Sequence, residues 1–351
     1  MPGELEGQSV FIRDVREASQ TYSKGCFGYP MSGGFLELDL VEAAFLLSLN
    51  RLEVRKGKKK MDFPSLFDYA SGRVEGFDIK YRVFKDLRER GFIVKPESGS
   101  FDLRVYPRGK LPSEVPPVYL VCAVSERSAT NLSVFSRDVS ESEDMGKRLL
   151  YGVADEEGDI TYYKMFFKSP EGNIDPAVKK CSAVGKLVGD IIFVFDESEG
   201  KSLYEEAFFG KQSGGILQLS LIEGCYLIHT GELRVFDRKG NEMDEAALVA
   251  FGKKNQDEFD LRLKAYYDLR ARGLVVKTGF KYGTHFRVYE GSPDECHARY
   301  LVHAVTASKI AMWPEISRTV RLSGGVRKEI LFCRIGDGEK IDYLSFQWFK
   351  P

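Results

Sequence analysis

The sequence of 351 residues lacks long hydrophobic runs. No stretch approaches the roughly 18 apolar residues that are needed to span a bilayer. The first residues, Met1 to Gln8, are acidic and contain no apolar segment of signal-peptide length. These absences exclude a membrane-spanning chain and predict a soluble, cytoplasmic protein with no membrane partner.

Cysteine is scarce and shows no pattern. There is no CxxC pair, and the density is far below that of a disulfide scaffold, which suits a reducing cytosol. We predict mostly buried thiols. The six cysteines are Cys26, Cys122, Cys181, Cys225, Cys296 and Cys333.

Positive charge is not in excess either. Lys and Arg total 51 against 52 for Asp and Glu, so the chain has no overall positive field of the kind that many nucleic-acid binders show. A surface that binds nucleic acid must therefore be local. The 43% hydrophobic and 29% charged residues are typical of a globular protein, and the length favours two or more domains.

What the sequence does contain is a long internal repeat. The segments Gly33 to Glu42 and Asp86 to Lys95 match Gly214 to Glu223 and Asp268 to Lys277, and the separation stays between 181 and 183 residues along the chain. Solenoid units are about 20 to 50 residues long, so a two-copy repeat of this length indicates a duplicated domain.

Each copy divides again by pattern. A short strand such as Ile191 to Phe195 and an apolar helix open the second copy, and a second helix ends before Gly273, which suits the left-handed position after a helix C-terminus, as does Gly91 in the first copy. The predicted fold is mixed α/β (α+β): in each copy an N-terminal α+β subdomain precedes a mixed sheet flanked by helices. The predicted boundaries are 1–78 and 79–168 in the first copy, a linker at 169–186, and 187–258 and 259–351 in the second.

The two copies differ most at a few polar positions. The second copy has His297 where the first has Pro116, which cannot titrate. On the strand before it, Tyr289 shares a face with Arg287 and His285, because strand side chains alternate. The phenol is therefore predicted to face solvent or a substrate.

A second difference concerns cations. Lys328 matches Lys147, but Arg321 replaces Ser140, so only the second copy has both cations. On a continuous helix, residues seven apart lie on one side, and Arg321 and Lys328 would then contact a phosphate backbone together. Gly324 and the glycine after it oppose this geometry and predict, as the alternative, a helix that breaks before Lys328.

Tyr289, His297 and Lys328 suit metal-free RNA cleavage. They include no thiol, no carboxylate pair and no metal-ligand spacing, so neither a metal nor another cofactor is predicted. Attack by a ribose 2′-hydroxyl needs a proton acceptor, a proton donor and a cation, which these residues can supply in that order. An imidazole is a good acid at neutral pH, whereas a phenol needs nearby cations, such as Arg287 and Lys328, to lower its pKa.

Ordinary interpretations exist for each of these residues. A single tyrosine at a strand end is commonly core or rim, a single histidine is commonly a surface residue, and a lysine after a helix commonly complements the helix dipole. His285, on the face of Tyr289, is a rival for the role of acid, and Asp102 occupies its place in the first copy.

The second copy resembles the archaeal tRNA-splicing endonuclease (tRNA-intron lyase) family in its two-unit form. The resemblance runs from Leu269 to Tyr289 and continues through His297 to Arg327 and Lys328. It implies that Tyr289, His297 and Lys328 are catalytic, so His285 becomes the second choice. It also implies a catalytic nuclease subdomain at 259–351 and a degenerate one at 79–168.

The resemblance further implies a substrate and an assembly. The substrate would be precursor tRNA folded as a bulge-helix-bulge, cut to 2′,3′-cyclic phosphate and 5′-hydroxyl ends by a homodimer. An acidic loop of the inactive copy would dock into the partner's active copy, and its residues here are Asp155, Glu156, Glu157 and Asp159. A plain charged hairpin turn is the alternative for this loop.

The family also clamps a bulge base between two arginines. Arg321 matches one of them, whereas the other falls at or near Trp348, whose indole can also stack on a base. Trp348 as a core anchor is the alternative, and Arg287 is a further candidate RNA contact. Two other functions stay open for the chain: a non-catalytic structural subunit of a splicing endonuclease, and an RNA-binding module on the same fold.

Overall fold

The computed structural model describes residues 1–178, 182–336, 338 and 340–351. The chain forms two compact units. The first contains Met1–Phe166 with Ile310–Ser317 and Gln347–Pro351, and the second contains Phe167–Lys309 with Arg318–Phe346. Residues 179–181, which include Cys181 and part of the predicted linker, lie outside the described residues.

The first unit opens with a sheet and three helices. In chain order these are β1 (Pro2–Glu6), β2 (Ser9–Ile12), α1 (Val15–Gly25), β3 (Tyr29–Pro30), β4 (Leu36–Asp39), α2 (Leu40–Ser48), β5 (Glu53–Lys56), β6 (Lys59–Met61) and α3 (Phe63–Ser71). The strand order is β3-β4-β2-β1-β5-β6, and β1 and β5 are parallel. Alternate side chains of β2, Val10 and Ile12, are fully buried, so one sheet face packs into the core.

A second sheet completes the first copy. Its elements are α4 (Phe77–Glu89), β7 (Ile93–Pro96), β8 (Leu103–Tyr106), β9 (Tyr119–Ser125), β10 (Ala129–Asn131), α5 (Leu132–Asp144), β11 (Arg148–Ala154) and β12 (Ile160–Phe167). The order of its sheet strands is β7-β8-β9-β11-β12, with β9 and β11 parallel. The parallel pair needs a crossover, and α5 lies within that connection.

The second copy repeats this series of elements. They are β13 (Ala183–Val188), β14 (Ile191–Val194), α6 (Glu197–Ala207), β15 (Lys211–Ser213), β16 (Ile216–Ser220), α7 (Leu221–His229), β17 (Leu233–Phe236), β18 (Glu242–Met243), α8 (Glu245–Asn255), α9 (Phe259–Ala271), β19 (Val275–Thr278), the 3₁₀ turn η1 (Phe280–Tyr282), β20 (Phe286–Tyr289), β21 (Tyr300–Thr306), β22 (Ile310–Met312), α10 (Trp313–Gly325), β23 (Glu329–Ile335) and β24 (Ile341–Phe349). The strand orders β15-β16-β14-β13-β17-β18 and β19-β20-β21-β23-β24 equal those of the first copy. The predicted mixed α/β fold and the tandem duplication are confirmed.

Short sequence signals fix the helix ends. α2 and α7 each begin with a capping box, in which Asp39 or Ser220 pairs with a glutamate three residues later, Glu42 or Glu223. Gly91 and Gly273 follow α4 and α9 with φ of +89° and +74°, as predicted. Both glutamates are buried, so they also act beyond the cap.

Several sequence predictions meet the structure at this level. The predicted linker at 169–186 is wrong at its end, because β13 already begins at Ala183. Its small residues, Ala183 and Gly185, weaken the apolar alternation that marks a strand. Four of the described cysteines are buried and Cys296 is exposed. Within the described residues, no helix is both long enough and apolar enough to cross a membrane.

Candidate functional site

Tyr289 ends strand β20 and is buried. Its side chain packs against Val275, which lies opposite it in the sheet, and against Ala298. Of the two predicted environments, solvent or a substrate, solvent does not apply to most of the ring, because the segment that carries Ala298 packs against it. The residue still lines a cleft of about 750 Å³ in the second unit.

Burial also decides the protonation of Tyr289. Removal from water raises the pKa of the phenol, and the nearby Arg287 guanidinium, 5.9 Å from the ring centre, lowers it by less. Tyr282, Cys296 and Asp294 lie close enough to oppose ionisation further. Arg287 thus lowers this pKa as expected, but the desolvation of the phenolate outweighs it, so the net shift is upward.

His297 lies in the connection between β20 and β21, where its imidazole is exposed. The preceding turn is closed by hydrogen bonds from the backbone N–H groups of Glu295 and Cys296 to the carbonyl of Ser292, at 3.2 and 3.0 Å. On the other side, Ala298 is buried beside Tyr289. A fixed segment therefore presents His297 to solvent next to the tyrosine.

Lys328 follows the end of α10. The helix ends at Gly325, and the N–H of Lys328 donates to the carbonyl of Ser323 at 2.9 Å. Arg327 adopts a left-handed conformation with φ of +54°. The expectation of a common helix face for Arg321 and Lys328 is thus wrong, and the alternative, a helix that breaks before Lys328, is confirmed.

Tyr282 connects Lys328 with Tyr289. The Lys328 ammonium lies 5.5 Å from the centre of the Tyr282 ring, and the Tyr282 hydroxyl is one of the groups that raise the Tyr289 pKa. Cys296, the residue before His297, is also one of the groups that raise the pKa of Tyr289. The segments that carry Lys328 and His297 thus each include or contact a residue that acts on Tyr289, in the second unit. Sequence reasoning missed Tyr282, although the first copy has Ser100 in the corresponding loop.

The cleft beside Tyr289 is rich in cations. Lys211, Arg262, Lys277 and Arg287 line it, and Asp190, Glu223 and Asp294 are its acidic residues. Lys277 is largely buried: its ammonium donates to the carbonyl of Gly210 at 2.6 Å and lies 3.8 Å from the Glu223 carboxylate. Burial lowers the Lys277 pKa, and Glu223 counteracts this. The Arg287 Nε is buried and has no hydrogen-bond partner among the described residues.

The corresponding region of the first copy is filled. Lys95, the counterpart of Lys277, forms a buried ion pair of 2.8 Å with Glu42, and the Tyr29 ring lies 4.2 Å from its ammonium. Arg104, the counterpart of Arg287, pairs with Glu97. In the second copy, Lys211 and Gly279 stand in place of Tyr29 and Glu97. The duplication therefore left a filled site in one copy and an open cationic cleft in the other.

His285 is poorly placed to act as an acid. Its Nδ1 accepts the N–H of Ala304 at 3.1 Å, and its Nε2 lies 3.3 Å from the Glu258 carboxylate. Burial, with Arg262 and Lys309, lowers its pKa to about 4. The imidazole is therefore neutral at neutral pH, in spite of the half-exposed Glu258, and its role is to hold strand β21.

The two candidate base-clamp residues are both accessible. Arg321 is exposed on the last turns of α10, in the second unit. Trp348 lies near the end of β24, in the first unit, with 64% of its surface exposed. This exposure rules out the alternative of a core anchor for Trp348.

The acidic loop is the turn between β11 and β12. The Asp155 carboxylate stabilises this turn by accepting hydrogen bonds from the backbone N–H groups of Glu157 and Asp159, at 3.0 and 2.9 Å. Glu156 pairs with Arg127 on the surface. Glu157 forms no ion pair with a described residue, so its charge is available at the tip of the turn.

Comparisons with known proteins agree over the whole chain. The model of the tRNA intron endonuclease N-terminal domain matches residues 1–67 and 183–249, and that of the catalytic C-terminal domain of the same enzymes matches 77–162 and 259–343. The chain thus belongs to the tRNA intron endonuclease family and contains both of its domains twice.

Three full-length relatives are each named tRNA-splicing endonuclease. The protein of Methanococcoides burtonii is 37% identical over 355 residues, that of Methanosarcina mazei 36% over 346, and that of Haloferax volcanii 33% over 371. These alignments cover 100%, 97% and 100% of this chain, and the same shares of the three relatives.

Proposed function

We propose that this chain is a tRNA-splicing endonuclease that removes introns from precursor tRNA at bulge-helix-bulge motifs. It acts in the cytoplasm as a homodimer. In this proposal the catalytic subdomain is 259–351 and the degenerate one 79–168. The cut leaves 2′,3′-cyclic phosphate and 5′-hydroxyl ends and needs no metal ion.

The proposed reaction is an intramolecular transesterification. Tyr289, as the phenolate, takes the proton of the ribose 2′-hydroxyl while the 2′-oxygen forms a bond to phosphorus. The bond from phosphorus to the 5′-oxygen breaks, and the His297 imidazolium donates a proton to that oxygen. The Lys328 ammonium stabilises the charge that develops on the non-bridging oxygens.

One observation carries the proposal: the segment that bears the exposed His297 packs against Tyr289 through the next residue, Ala298, whereas the first copy has Pro116 in place of the histidine. The test is cleavage of a bulge-helix-bulge RNA in EDTA by wild type and by His297→Ala, with the product ends analysed. We expect metal-free cutting that the variant loses. Equal activity of the variant would show that His297 is not the acid. The role of acid would then pass to His285, although its imidazole is neutral at neutral pH.

Three residues are proposed to contact RNA. Arg321 and Trp348 are each exposed and, in this proposal, each stacks on a bulge base, one through its guanidinium and the other through its indole. Arg287 lines the cleft beside Tyr289 and, in this proposal, contacts a phosphate there. Trp348→Ala removes the surface on which a base could stack, whereas Trp348→Arg retains a planar one. If Trp348 acts by stacking, only the alanine variant should lose RNA binding, whereas a structural role of the indole would be lost in both.

The homodimer is proposed to form through the acidic loop. Asp155, Glu156, Glu157 and Asp159 of one chain dock into the cationic cleft of its partner, where Lys211 replaces the tyrosine that fills the first copy. Glu157 has the available charge at the tip. Opposite charges over such distances favour association most at low ionic strength.

The assembly is tested by charge exchange. Glu157→Lys is expected to shift sedimentation from dimer toward monomer, and Lys211→Glu in the same chain is expected to restore the dimer. Glu89→Lys, an exposed acid on α4, serves as the control. A Glu157→Lys protein that remains fully dimeric at low and high salt contradicts this docking.

Two other functions remain as outcomes of the cleavage experiment. A non-catalytic subunit would bind the RNA and cut only after an active partner is added. An RNA-binding module would bind but leave the RNA intact under all conditions. The presence of Tyr289, His297 and Lys328 in one copy favours the enzyme over both.

A further inference from the structure

Phe280 is unusually exposed. With 86% of its surface accessible, it exceeds every other large hydrophobic side chain among the described residues. A single exposed apolar residue is common on protein surfaces and needs no explanation by itself. Its neighbours make this one significant, because Lys281 and Tyr282 follow it and Tyr282 contacts the Lys328 ammonium at 5.5 Å.

The turn that presents Phe280 is rigid. The N–H groups of Tyr282 and Gly283 donate to the carbonyls of Gly279 and Phe280, at 2.8 and 3.0 Å. Thr284 is buried and its hydroxyl lies against the same backbone. At Gly279 a Cβ would lie 2.3 Å from the Thr284 hydroxyl oxygen, so the turn depends on this glycine. A ring on a fixed turn loses little conformational entropy on binding.

The two copies differ sharply at this turn. Where the second copy has Phe280, Lys281 and Tyr282, the first has Ser98, Gly99 and Ser100. The copy with Pro116 in place of the histidine thus also lacks the exposed ring, the cation and the tyrosine of the turn, and the ring that its own loop contains, Phe101, is buried. A purely structural turn would have no reason to differ together with the catalytic residues.

The chemistry of the turn fits an unpaired nucleotide. An exposed benzyl ring offers a stacking surface for a base, and the adjacent Lys281, exposed and without an ion pair among the described residues, offers a charge for the phosphate. Lys328 adds positive charge at the Tyr282 ring, and the exposed Arg327 precedes it in the chain. An apolar protein partner would not require this grouping of cations.

We propose that Phe280 stacks on an unpaired base next to the cleaved phosphate and so positions the RNA in the catalytic subdomain. Lys281 contacts the phosphate of the same nucleotide. This inference rests on the proposed function, since it assigns part of the substrate to a surface beside Tyr282 and Lys328.

Cleavage by four variants provides the first test. Phe280→Ala and Phe280→Leu are expected to reduce kcat/KM about 10- to 100-fold, because stacking is lost in both. Phe280→Trp is expected to retain activity within about threefold, since the indole also stacks. Phe195→Ala removes another exposed ring, 57% accessible, and is the matched control. Unchanged activity of Phe280→Ala, or full activity of Phe280→Leu, overturns the proposal.

Binding provides a test that does not depend on cleavage. In the His297→Ala background, bulge-helix-bulge RNAs with 2-aminopurine at each unpaired position in turn are titrated with protein. One position is expected to be quenched by protein with Phe280 and not by protein with Phe280→Ala. Quenching that is identical with both proteins at every position refutes the stacking. If wild type binds with this quenching but never cuts, the proposed function fails and this inference stands.

Discussion

The Lys328 ammonium lies 5.5 Å from the centre of the Tyr282 ring, and this contact places the cation. A cation over an aromatic ring gains about 0.5–1 kcal/mol at an exposed site. We therefore expect Tyr282→Ala to lower the single-turnover cleavage rate about two- to fivefold. Tyr282→Phe keeps the ring and removes a group that raises the pKa of Tyr289, so its rate should equal or slightly exceed that of wild type. A loss of equal size in Tyr282→Phe would instead assign a role to the hydroxyl.

Tyr289 predicts an alkaline dependence of cleavage. Because burial raises its pKa, the phenolate fraction grows through the whole neutral range. In the His297→Ala background, where no imidazolium is lost as the phenolate is gained, the residual rate is expected to rise with pH between about 6 and 9. Arg287→Leu removes the cation that favours the phenolate and should lower the rate at neutral pH further. Arg104→Leu, the matched change in the first copy, should leave it unchanged. A pH-independent residual rate in the His297→Ala background contradicts Tyr289 as the base.

A substitution at Lys211 is expected to close the cleft. In the first copy the Tyr29 ring covers the Lys95 ammonium at 4.2 Å. Lys211→Tyr is expected to place a ring over Lys277 in the same way and to shift sedimentation toward monomer without unfolding the protein. A Lys211→Tyr protein that remains fully dimeric would show that the cleft does not receive the loop.

The buried histidines predict a loss of stability in acid. Burial lowers the pKa values of His285 and His303 to about 4 in the folded protein, below the ordinary value of about 6.5. The unfolded chain therefore binds more protons between these values, so stability present above pH 6.5 decreases as the pH falls toward 4. We expect this to cost on the order of 2–4 kcal/mol in total.

The measurement is urea unfolding from pH 4.5 to 7. His285→Asn keeps an acceptor for the N–H of Ala304, and His303→Cys introduces the residue of the first copy, Cys122. Neither new residue gains a proton in this range, so the double variant should lose less stability than wild type on acidification. Equal slopes would assign the acid sensitivity to carboxylates elsewhere.

The repeat allowed much of the fold to be predicted. Helix ends at Gly91 and Gly273 and the apolar strand Tyr300–Thr306 follow from local patterns that occur twice. Strand β13 could not be predicted in this way, because Ala183 and Gly185 leave too few large apolar side chains for an alternating pattern.

The site was harder to predict because it depends on burial. Alternation along β20 gave the face of Tyr289 but not the burial of its ring, so the sequence indicated the effect of Arg287 on the pKa but not the larger effect of desolvation. The cleft was missed because it depends on Lys277 and Glu223, which are 54 positions apart in sequence. The first copy has the same pair of residues, Lys95 and Glu42, at the matching positions. This repetition was the signal in the sequence that could have revealed the cleft.

Arg327 retains a strained backbone beside Lys328. Its φ of +54° is left-handed, where the first copy has Gly146 at +64°. This conformation costs a non-glycine residue roughly 1–2 kcal/mol. A cation retained at such a position, exposed and next to a catalytic lysine, indicates that the side chain has a use that offsets the strain.

Arg327→Gly should therefore have opposite effects on stability and on RNA. We expect the free energy of unfolding to rise by about 0.5–1 kcal/mol, and the salt dependence of RNA binding to fall by about one phosphate contact. Gly146→Arg, the matched change in the first copy, should destabilise the protein by a similar amount and leave RNA binding unaltered. Urea unfolding and binding titrations at several salt concentrations measure both effects. If Arg327→Gly gains stability but binds RNA with an unchanged salt slope, the arginine does not contact the phosphate backbone, and the strain has another cause.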